Sequence, residues 1–128
     1  MAELKRILFV EDEPDIQAVA KLALEMVGGF VVETCSSGKE ALQKATPFQP
    51  DLVLLDVMMP DMDGPATLRA LRQLDLPVPL PVIFITAKVQ PQEVAEYISL
   101  GALDVIAKPF NPMTLSGTIK EIWSHAHA

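Results

Sequence analysis

Short apolar runs alternate along this chain with longer segments in which apolar residues recur at helical spacing. The short runs are rich in β-branched residues, which favours strands, and the longer segments show the periodicity of helices. The predicted strands cover residues 6–10, 30–34, 52–56, 81–86 and 104–107, and the predicted helices cover residues 14–27, 37–46, 65–73, 91–100 and 112–124. The pattern is therefore five successive strand–helix units.

The strands read as continuous hydrophobic runs rather than as alternating ones. Continuous runs are typical of strands that are buried on both faces, as in a parallel sheet covered by helices on each side. The last helix shows one apolar stripe of Leu115, Ile119 and Ile122, with Trp123 beside it. The pattern predicts a doubly wound α/β fold.

Prolines and polar residues mark the expected helix ends. Pro14, Pro65, Pro91 and Pro112 each stand where a first helical residue belongs, a position at which the missing N–H is tolerated. Ser37 and Glu40 have the spacing of a capping box, and Gly28 and Gly101 follow two helices as expected C-terminal stops.

Length and charge narrow the possible functions. A chain of 128 residues fits one domain, predicted to span residues 1–128, and its net charge of −7 comes without a basic cluster, which argues against direct nucleic-acid binding. The first apolar run is too short for a signal peptide or a membrane span, so we expect a cytoplasmic protein without a membrane partner. The single cysteine, Cys35, cannot form an internal disulfide and is expected to be buried.

Acidic residues stand at the carboxyl ends of two predicted strands. Glu11, Asp12 and Glu13 follow the first strand, and Asp56 ends the third. In an open parallel sheet, functional groups collect at that edge. Ionised carboxylates that share a pocket repel one another and need a counter-ion or a shared proton, and oxygen ligands without His or Cys favour Mg²⁺ or Mn²⁺. The sequence therefore suggests a magnesium site and phosphoryl chemistry.

Two further strand ends carry groups suited to that chemistry. Thr86 closes the fourth strand, and Lys108 follows the fifth. A hydroxyl donor and an ammonium group can hold phosphoryl oxygens while a metal neutralises charge.

These motifs together resemble the receiver domain of two-component response regulators, over essentially the whole chain. The matching segments are residues 7–13, 51–56, 59–64, 85–87 and 101–110. The resemblance implies a five-stranded flavodoxin-like or CheY-like sheet in the order 2-1-3-4-5.

The resemblance also implies roles for the acidic residues. Asp56 would accept the phosphoryl group, and Asp12 and Asp56 would bind Mg²⁺. Glu11 would assist directly or through water, and Met58 would contribute its backbone carbonyl.

Further roles follow for the fourth and fifth strands. Thr86 would bond the phosphoryl group after modification, Lys108 would pair with one of its oxygens, and a cis peptide bond is expected between Lys108 and Pro109.

The family usually has Tyr or Phe three residues before the lysine, but Val105 stands there. Transmission of the signal must then use another element. Lys88 and Met58 resemble the variable positions that tune dephosphorylation.

Other polar residues have simpler interpretations. Asp61 and Asp63 are interpreted as turn and helix-start residues and are left out of the site. His125 and His127 lie in a terminal tail that is expected to fray, which argues against a metal role.

The leading hypothesis is a stand-alone receiver that acts by binding an output protein. A histidine kinase or histidine phosphotransfer protein would donate the phosphoryl group, and phosphorylation could create a homodimer. The protein would catalyse only its own phosphorylation and dephosphorylation. The first alternative is a receiver-like binding module that is never phosphorylated. An aspartyl phosphatase would require an Asp-x-Asp motif after the first strand, and a flavin carrier would require a phosphate loop where this chain has three acids.

Overall fold

A computed structural model describes residues 3–76 and 79–127 of the chain, and strands and helices alternate through them. The strands are β1 (Arg6–Val10), β2 (Val31–Cys35), β3 (Leu52–Asp56), β4 (Val82–Thr86) and β5 (Asp104–Ala107). The helices are α1 (Pro14–Met26), α2 (Gly38–Phe48), α3 (Gly64–Leu71), α4 (Pro91–Ser99) and α5 (Leu115–Ala126). The strands form one parallel sheet in the order β2-β1-β3-β4-β5, which confirms the predicted fold and strand order.

The register of the sheet brings the carboxyl ends of four strands to one edge. Val10 at the end of β1 pairs with Leu55 of β3. The residues that follow them, Glu11 and Asp56, therefore lie at the same level of the sheet. Asp56 pairs with Ile85, and on the far side Thr86 pairs with Ala107, the last residue of β5. Residues from distant parts of the sequence therefore share this edge.

Successive side chains of each strand enter two different cores. One core lies between the sheet and helices α2, α3 and α4, and it includes Leu8, Val53, Leu55, Phe84 and Tyr97. The other lies against α1 and α5, and it includes Ile7, Phe9, Leu54, Ile85 and Ile119. Because β1, β3 and β4 are covered on both faces, their sequences are continuously apolar, as a parallel sheet requires.

The last helix starts later than the sequence predicts. Pro112 lies in a turn, and α5 begins at Leu115. Leu115, Ile119 and Trp123 are buried, whereas Ile122 is only partly covered at the edge of that core. All four residues of the expected stripe therefore pack in this core, with Trp123 more deeply buried than Ile122.

His125 and His127 do not lie in a separate tail as predicted. Helix α5 extends to Ala126, and the imidazole of His127 stacks on the indole of Trp123 at 3.9 Å between ring centroids. Nδ1 of His127 also lies 2.9 Å from the Trp123 carbonyl oxygen. Aromatic stacking therefore stabilises the end of this helix.

Several other boundaries differ by one or two residues from those predicted. Strand β2 is displaced by one residue, α1 ends at Met26, α3 spans Gly64–Leu71 with Pro65 as its second residue, and α2 continues through Pro47 to Phe48. Ser37 caps α2 by accepting from the Glu40 N–H, but the Glu40 carboxylate accepts from Ser36 rather than from Ser37. The predicted capping box is therefore incomplete.

Cys35 is fully buried and unpaired, as the sequence predicts. Burial raises the pKa of its thiol to about 12, and the charge of Glu40 adds to this effect. The thiol is therefore held neutral and unreactive. Separately, every described helix falls short of the length and apolar character that crossing a bilayer requires.

Candidate functional site: an acidic pocket with a buried lysine

Glu11 lies at the centre of the carboxyl edge, immediately after β1. Its side chain is fully buried, and its Oε2 accepts a hydrogen bond of 3.2 Å from the Glu13 N–H. The loop that holds Glu11 is fixed by its own backbone, because the Glu11 N–H donates to the Cys35 carbonyl at 2.9 Å. The carboxylate is therefore held in place before any ligand arrives.

Lys108 bridges the carboxylates that follow β1 and end β3. Its Nζ lies 2.6 Å from Oε1 of Glu11 and 3.1 Å from Oδ1 of Asp56. Asp56 is almost fully buried, and Lys108 is mostly covered. The cis peptide bond expected between Lys108 and Pro109 is confirmed.

Asp12 completes a cluster of three acids. Carboxylate oxygens of Glu11, Asp12 and Asp56 all lie within 4.8 Å of one another, and Asp12 is only partly buried. The cluster therefore opens to solvent on the side of Asp12. An opening next to three oxygen donors gives a small cation and its waters a route to the buried acids.

Burial changes the pKa values of Glu11 and Lys108 in this pocket. The pKa of Glu11 is raised from its ordinary value of 4.5 to about 7, mainly because burial disfavours the charged form, and the charge of Asp56 adds to this effect. The hydrogen bond from Lys108 opposes the rise. For Lys108 itself, burial lowers the pKa, but the bonds to Glu11 and Asp56 together outweigh burial and leave it raised. Lys108 therefore remains a cation in the pocket.

Thr86 ends β4 on the strand next to Asp56, and its side chain is almost fully buried. Its Oγ1 accepts a hydrogen bond of 3.1 Å from the Lys88 N–H. The backbone carbonyl of Thr86 accepts from the Lys108 N–H at 2.9 Å, which ties the two strand ends together. The hydroxyl is thus placed at the same edge as the acids.

The loop after β3 wraps closely around the end of that strand. Met58 lies in this loop with its side chain 60% exposed. The Gly64 N–H donates to the Val57 carbonyl at 2.9 Å, and Asp63 caps α3 by accepting from Ala66. Asp61 has a positive φ of 66°, so both acids have the turn and helix-start roles that the sequence predicts.

Sequence reasoning missed Gln17, which holds two loops of the pocket together. Its amide donates to the backbone carbonyl of Glu11, to the Cys35 carbonyl at 3.3 Å and to the Ser36 hydroxyl at 3.1 Å. A glutamine on a helix gives no sequence signal for such a role, because two of its partners, Cys35 and Ser36, come from the next strand–helix unit.

This fold, with acids after β1 and at the end of β3, a hydroxyl at the end of β4 and a lysine after β5, defines a class of phosphoryl-accepting signalling domains. A sequence profile of response regulator receiver domains matches residues 7–120. The chain therefore belongs to the family of response regulator receiver domains of two-component signal transduction.

Two of the relatives are transcriptional regulatory proteins. The chain is 40% identical over 118 residues to the alkaline phosphatase synthesis transcriptional regulatory protein PhoP of Bacillus subtilis, covering 92% of this chain and 48% of PhoP. It is 36% identical to the phosphate regulon transcriptional regulatory protein PhoB of Pseudomonas aeruginosa, covering 92% of this chain and 51% of PhoB. The chain thus spans about half the length of these relatives.

Solved structures of similar fold include a chemotaxis protein. CheY4 of Vibrio cholerae superposes with a TM-score of 0.85 at 32% identity, and the match covers 94% of this chain and 99% of CheY4. The receiver domain of DrrB, solved in its BeF3-activated form, superposes with a TM-score of 0.78 at 28% identity, covering 95% of this chain and 99% of that domain.

Proposed function

We propose that this domain accepts a phosphoryl group on Asp56 in a Mg²⁺-dependent reaction and that the modified domain controls a partner protein. The observation that carries the proposal is the bridge from Lys108 to Asp56 and Glu11, beside the open carboxylate of Asp12. A buried carboxylate held by a cation and set next to other acids is suited to act as a nucleophile toward phosphorus.

The donor set fits a hard divalent cation. The three clustered ligand groups are carboxylates whose oxygens lie within 4.8 Å of one another, a set that favours Mg²⁺ over softer metals. Asp12 and Asp56 would hold the ion, with Met58 adding its backbone carbonyl. Glu11 is already engaged by Lys108 and by the Glu13 N–H, which supports a contribution through water. When bound, Mg²⁺ neutralises charge on the phosphoryl oxygens and on the attacking carboxylate.

The chemical step is a displacement at phosphorus. An Asp56 carboxylate oxygen forms the new O–P bond while the N–P bond to the donor's histidine breaks, and the electron pair of that bond stays on the imidazole nitrogen. Lys108, a cation close to Asp56, would pair with a phosphoryl oxygen. The Thr86 hydroxyl would donate to another oxygen after transfer. The domain would thus catalyse only its own phosphorylation and dephosphorylation.

The phosphoryl donor follows from this chemistry. A histidine kinase or a histidine phosphotransfer protein carries the group on imidazole, and we place the domain in the cytoplasm, where ATP-dependent kinases work. A downstream output protein would bind the phosphorylated form. Action as a single domain and phosphorylation-dependent homodimerisation both remain predictions.

The proposal is tested by the intact mass of the protein after incubation with acetyl phosphate and Mg²⁺. We expect the addition of one phosphoryl group, which EDTA prevents and which Asp56→Asn lacks. Asp12→Ala should require far more Mg²⁺ for the same extent of modification. Equal modification of wild type and Asp56→Asn would overturn the assignment of the acceptor.

Short-lived acyl phosphates call for a second measurement. Beryllofluoride mimics a phosphoryl group on a carboxylate, and its bound form is observed directly by ¹⁹F NMR. If neither an adduct nor bound beryllofluoride is found, the domain is a binding module that is never phosphorylated.

A further inference from the structure

Helix α4 carries an aromatic residue next to the site, whereas β5 does not. Val105, three residues before Lys108, has no polar side-chain atom and packs at the edge of the α4-side core. The single tyrosine of the chain is Tyr97 in α4, and its side chain is 7% exposed. A small residue on the strand and a large ring on the helix fill the same core.

The ring of Tyr97 is fixed by the strand that carries Thr86. It contacts Phe84 edge to face, with ring centroids 5.3 Å apart and an interplanar angle of 62°. Phe84 pairs in the sheet with Val105 and lies two residues before Thr86, so its side chain faces the same core as the tyrosine. Such edge-to-face contacts are orientation-dependent and hold the phenol in one direction.

The phenol hydroxyl reaches Thr86. Burial raises the pKa of Tyr97, the charge of Glu93 adds to the rise, and a side-chain hydrogen bond to Thr86 lowers it in part. Thr86 Oγ1 meanwhile accepts from the Lys88 N–H. A threonine hydroxyl has one hydrogen and two lone pairs, so Lys88 occupies one lone pair and leaves one hydrogen and one lone pair.

We propose that Tyr97 is a positioning residue that couples the Thr86 hydroxyl to helix α4, in place of an aromatic residue on β5. This inference rests on the proposed phosphorylation of Asp56. When Thr86 gives its hydrogen to a phosphoryl oxygen, Tyr97 donates its own hydrogen to the remaining lone pair of Thr86. The phenol, and with it α4, then follows the movement of the threonine.

The output surface that results is the exposed side of α4. Ile98 follows Tyr97 directly and is 42% exposed, so a displacement of the buried phenol changes the position of an apolar side chain on the surface. Partner binding on this side would report the state of Thr86 without any change of rotamer on β5.

The test uses NMR, because one tyrosine gives one signal. Protein labelled with ¹³C at the tyrosine ζ carbon is titrated with Mg²⁺ and beryllofluoride, and ¹⁹F NMR records binding independently. We expect the ζ-carbon resonance to move in step with bound beryllofluoride in wild type. In Thr86→Val, which keeps the shape but lacks the hydroxyl, the resonance should stay in place at full occupancy.

Backbone amides of α4 provide the second readout. Tyr97→Phe keeps the ring and its contact with Phe84, and we expect it to bind beryllofluoride but to lose most of the α4 amide shifts that the wild type shows. Ser99→Ala is the matched control. It removes another hydroxyl from the same helix, one that donates to the Glu96 carbonyl, and should leave the α4 shifts unchanged.

The outcomes separate the two proposals. Bound beryllofluoride with an unmoved tyrosine resonance, or with full α4 shifts in Tyr97→Phe, would overturn the role of Tyr97 and leave the phosphorylation proposal standing. An absence of bound beryllofluoride in wild type would overturn both.

Discussion

At the scale of single residues, Lys108 decides the electrostatics of the pocket. It is a cation that contacts both Glu11 and Asp56, so its positive charge acts on both carboxylates. Burial is the main cause of the raised pKa of Glu11, and the charges of Lys108 and Asp56 act on it in opposite directions. Two substitutions should therefore shift this pKa with opposite signs.

Lys108→Met should raise the pKa of Glu11 above its wild-type value of about 7, because burial and the charge of Asp56 then act without an opposing cation. Asp56→Asn should lower it, because one of the causes of the rise is removed while Lys108 stays. The measurement is a ¹³C NMR titration of the Glu11 carboxyl carbon without metal. Shifts of the same sign in both variants would contradict the assignment of these causes.

The raised pKa of Glu11 also predicts how metal binding depends on pH. Mg²⁺ favours the ionised carboxylates, so protonation of Glu11 below pH 7 competes with the metal, and the apparent dissociation constant should rise about tenfold from pH 8 to pH 6. Isothermal titration calorimetry at both pH values measures this change. Glu11→Gln is the control, and its Mg²⁺ affinity should vary much less over the same range.

Without metal, Glu11 makes the free energy of unfolding fall as the pH rises. A carboxylate in a favourable ion pair has the opposite effect. The folded protein keeps the Glu11 proton up to about pH 7, whereas the unfolded chain loses it near 4.5. Between these values the folded state binds more protons, so this group lowers the free energy of unfolding as the pH rises from 4.5 to 7. Below pH 4.5 its destabilising effect is absent.

At the scale of elements, the start of α3 is pressed against the end of β3. A Cβ atom on Gly64 would lie 2.8 Å from the Asp56 carbonyl oxygen and 2.8 Å from the Val57 Cα, both of which are backbone atoms. The helix can therefore begin this close to the acidic pocket only with glycine at position 64.

Gly64→Ala should lower the free energy of unfolding by about 1–3 kcal/mol, because the backbone must move to relieve the overlap. Gly117→Ala is the matched control. Its added Cβ meets no atom within 4 Å inside α5, so the better helix propensity of alanine should stabilise the protein by about 0.5–1 kcal/mol. Urea unfolding of both variants measures the difference, and equal effects would contradict the close packing at Gly64.

Helix α5 shows that the sequence predicts the presence of a helix more accurately than its first residue. A proline at position 112 is typical of a first helical residue, but here the helix starts three residues later, and Thr114 and Leu115 donate to the Asn111 carbonyl in the turn that precedes it. Periodicity identified the helix correctly. Its start depends on the turn at Asn111, which a local proline rule does not consider.

At the scale of the whole molecule, cations can stabilise the folded protein in two separate ways, through its net charge of −7 and through the acidic pocket. Overall repulsion is screened by any salt, whereas the pocket should bind Mg²⁺ specifically. Added Mg²⁺ should therefore raise the melting temperature more than NaCl of equal ionic strength.

Asp12→Ala should remove this extra stabilisation and keep the response to NaCl. Differential scanning calorimetry measures both effects, and Ala substitution of Glu121, an exposed acid on α5, is a suitable control for the lost charge. Equal melting temperatures in the two salts for the wild type would argue against a specific site.

The sequence by itself determined the fold class, the order of the elements and the edge of the sheet where the chemistry collects. Continuous apolar strands require burial on both faces, and parallel strands bring their carboxyl ends together, so Asp56, Thr86 and Lys108 could be grouped from local pattern and family motifs. The tertiary structure alone decided which side chains touch. The bridge by Lys108 and the hydrogen bonds of Gln17 to the loop after β2 join residues from different strand–helix units, and the contact of Tyr97 with Thr86 joins a helix to the end of the strand before it. Such contacts depend on helix packing and side-chain direction, which periodicity in one segment does not contain.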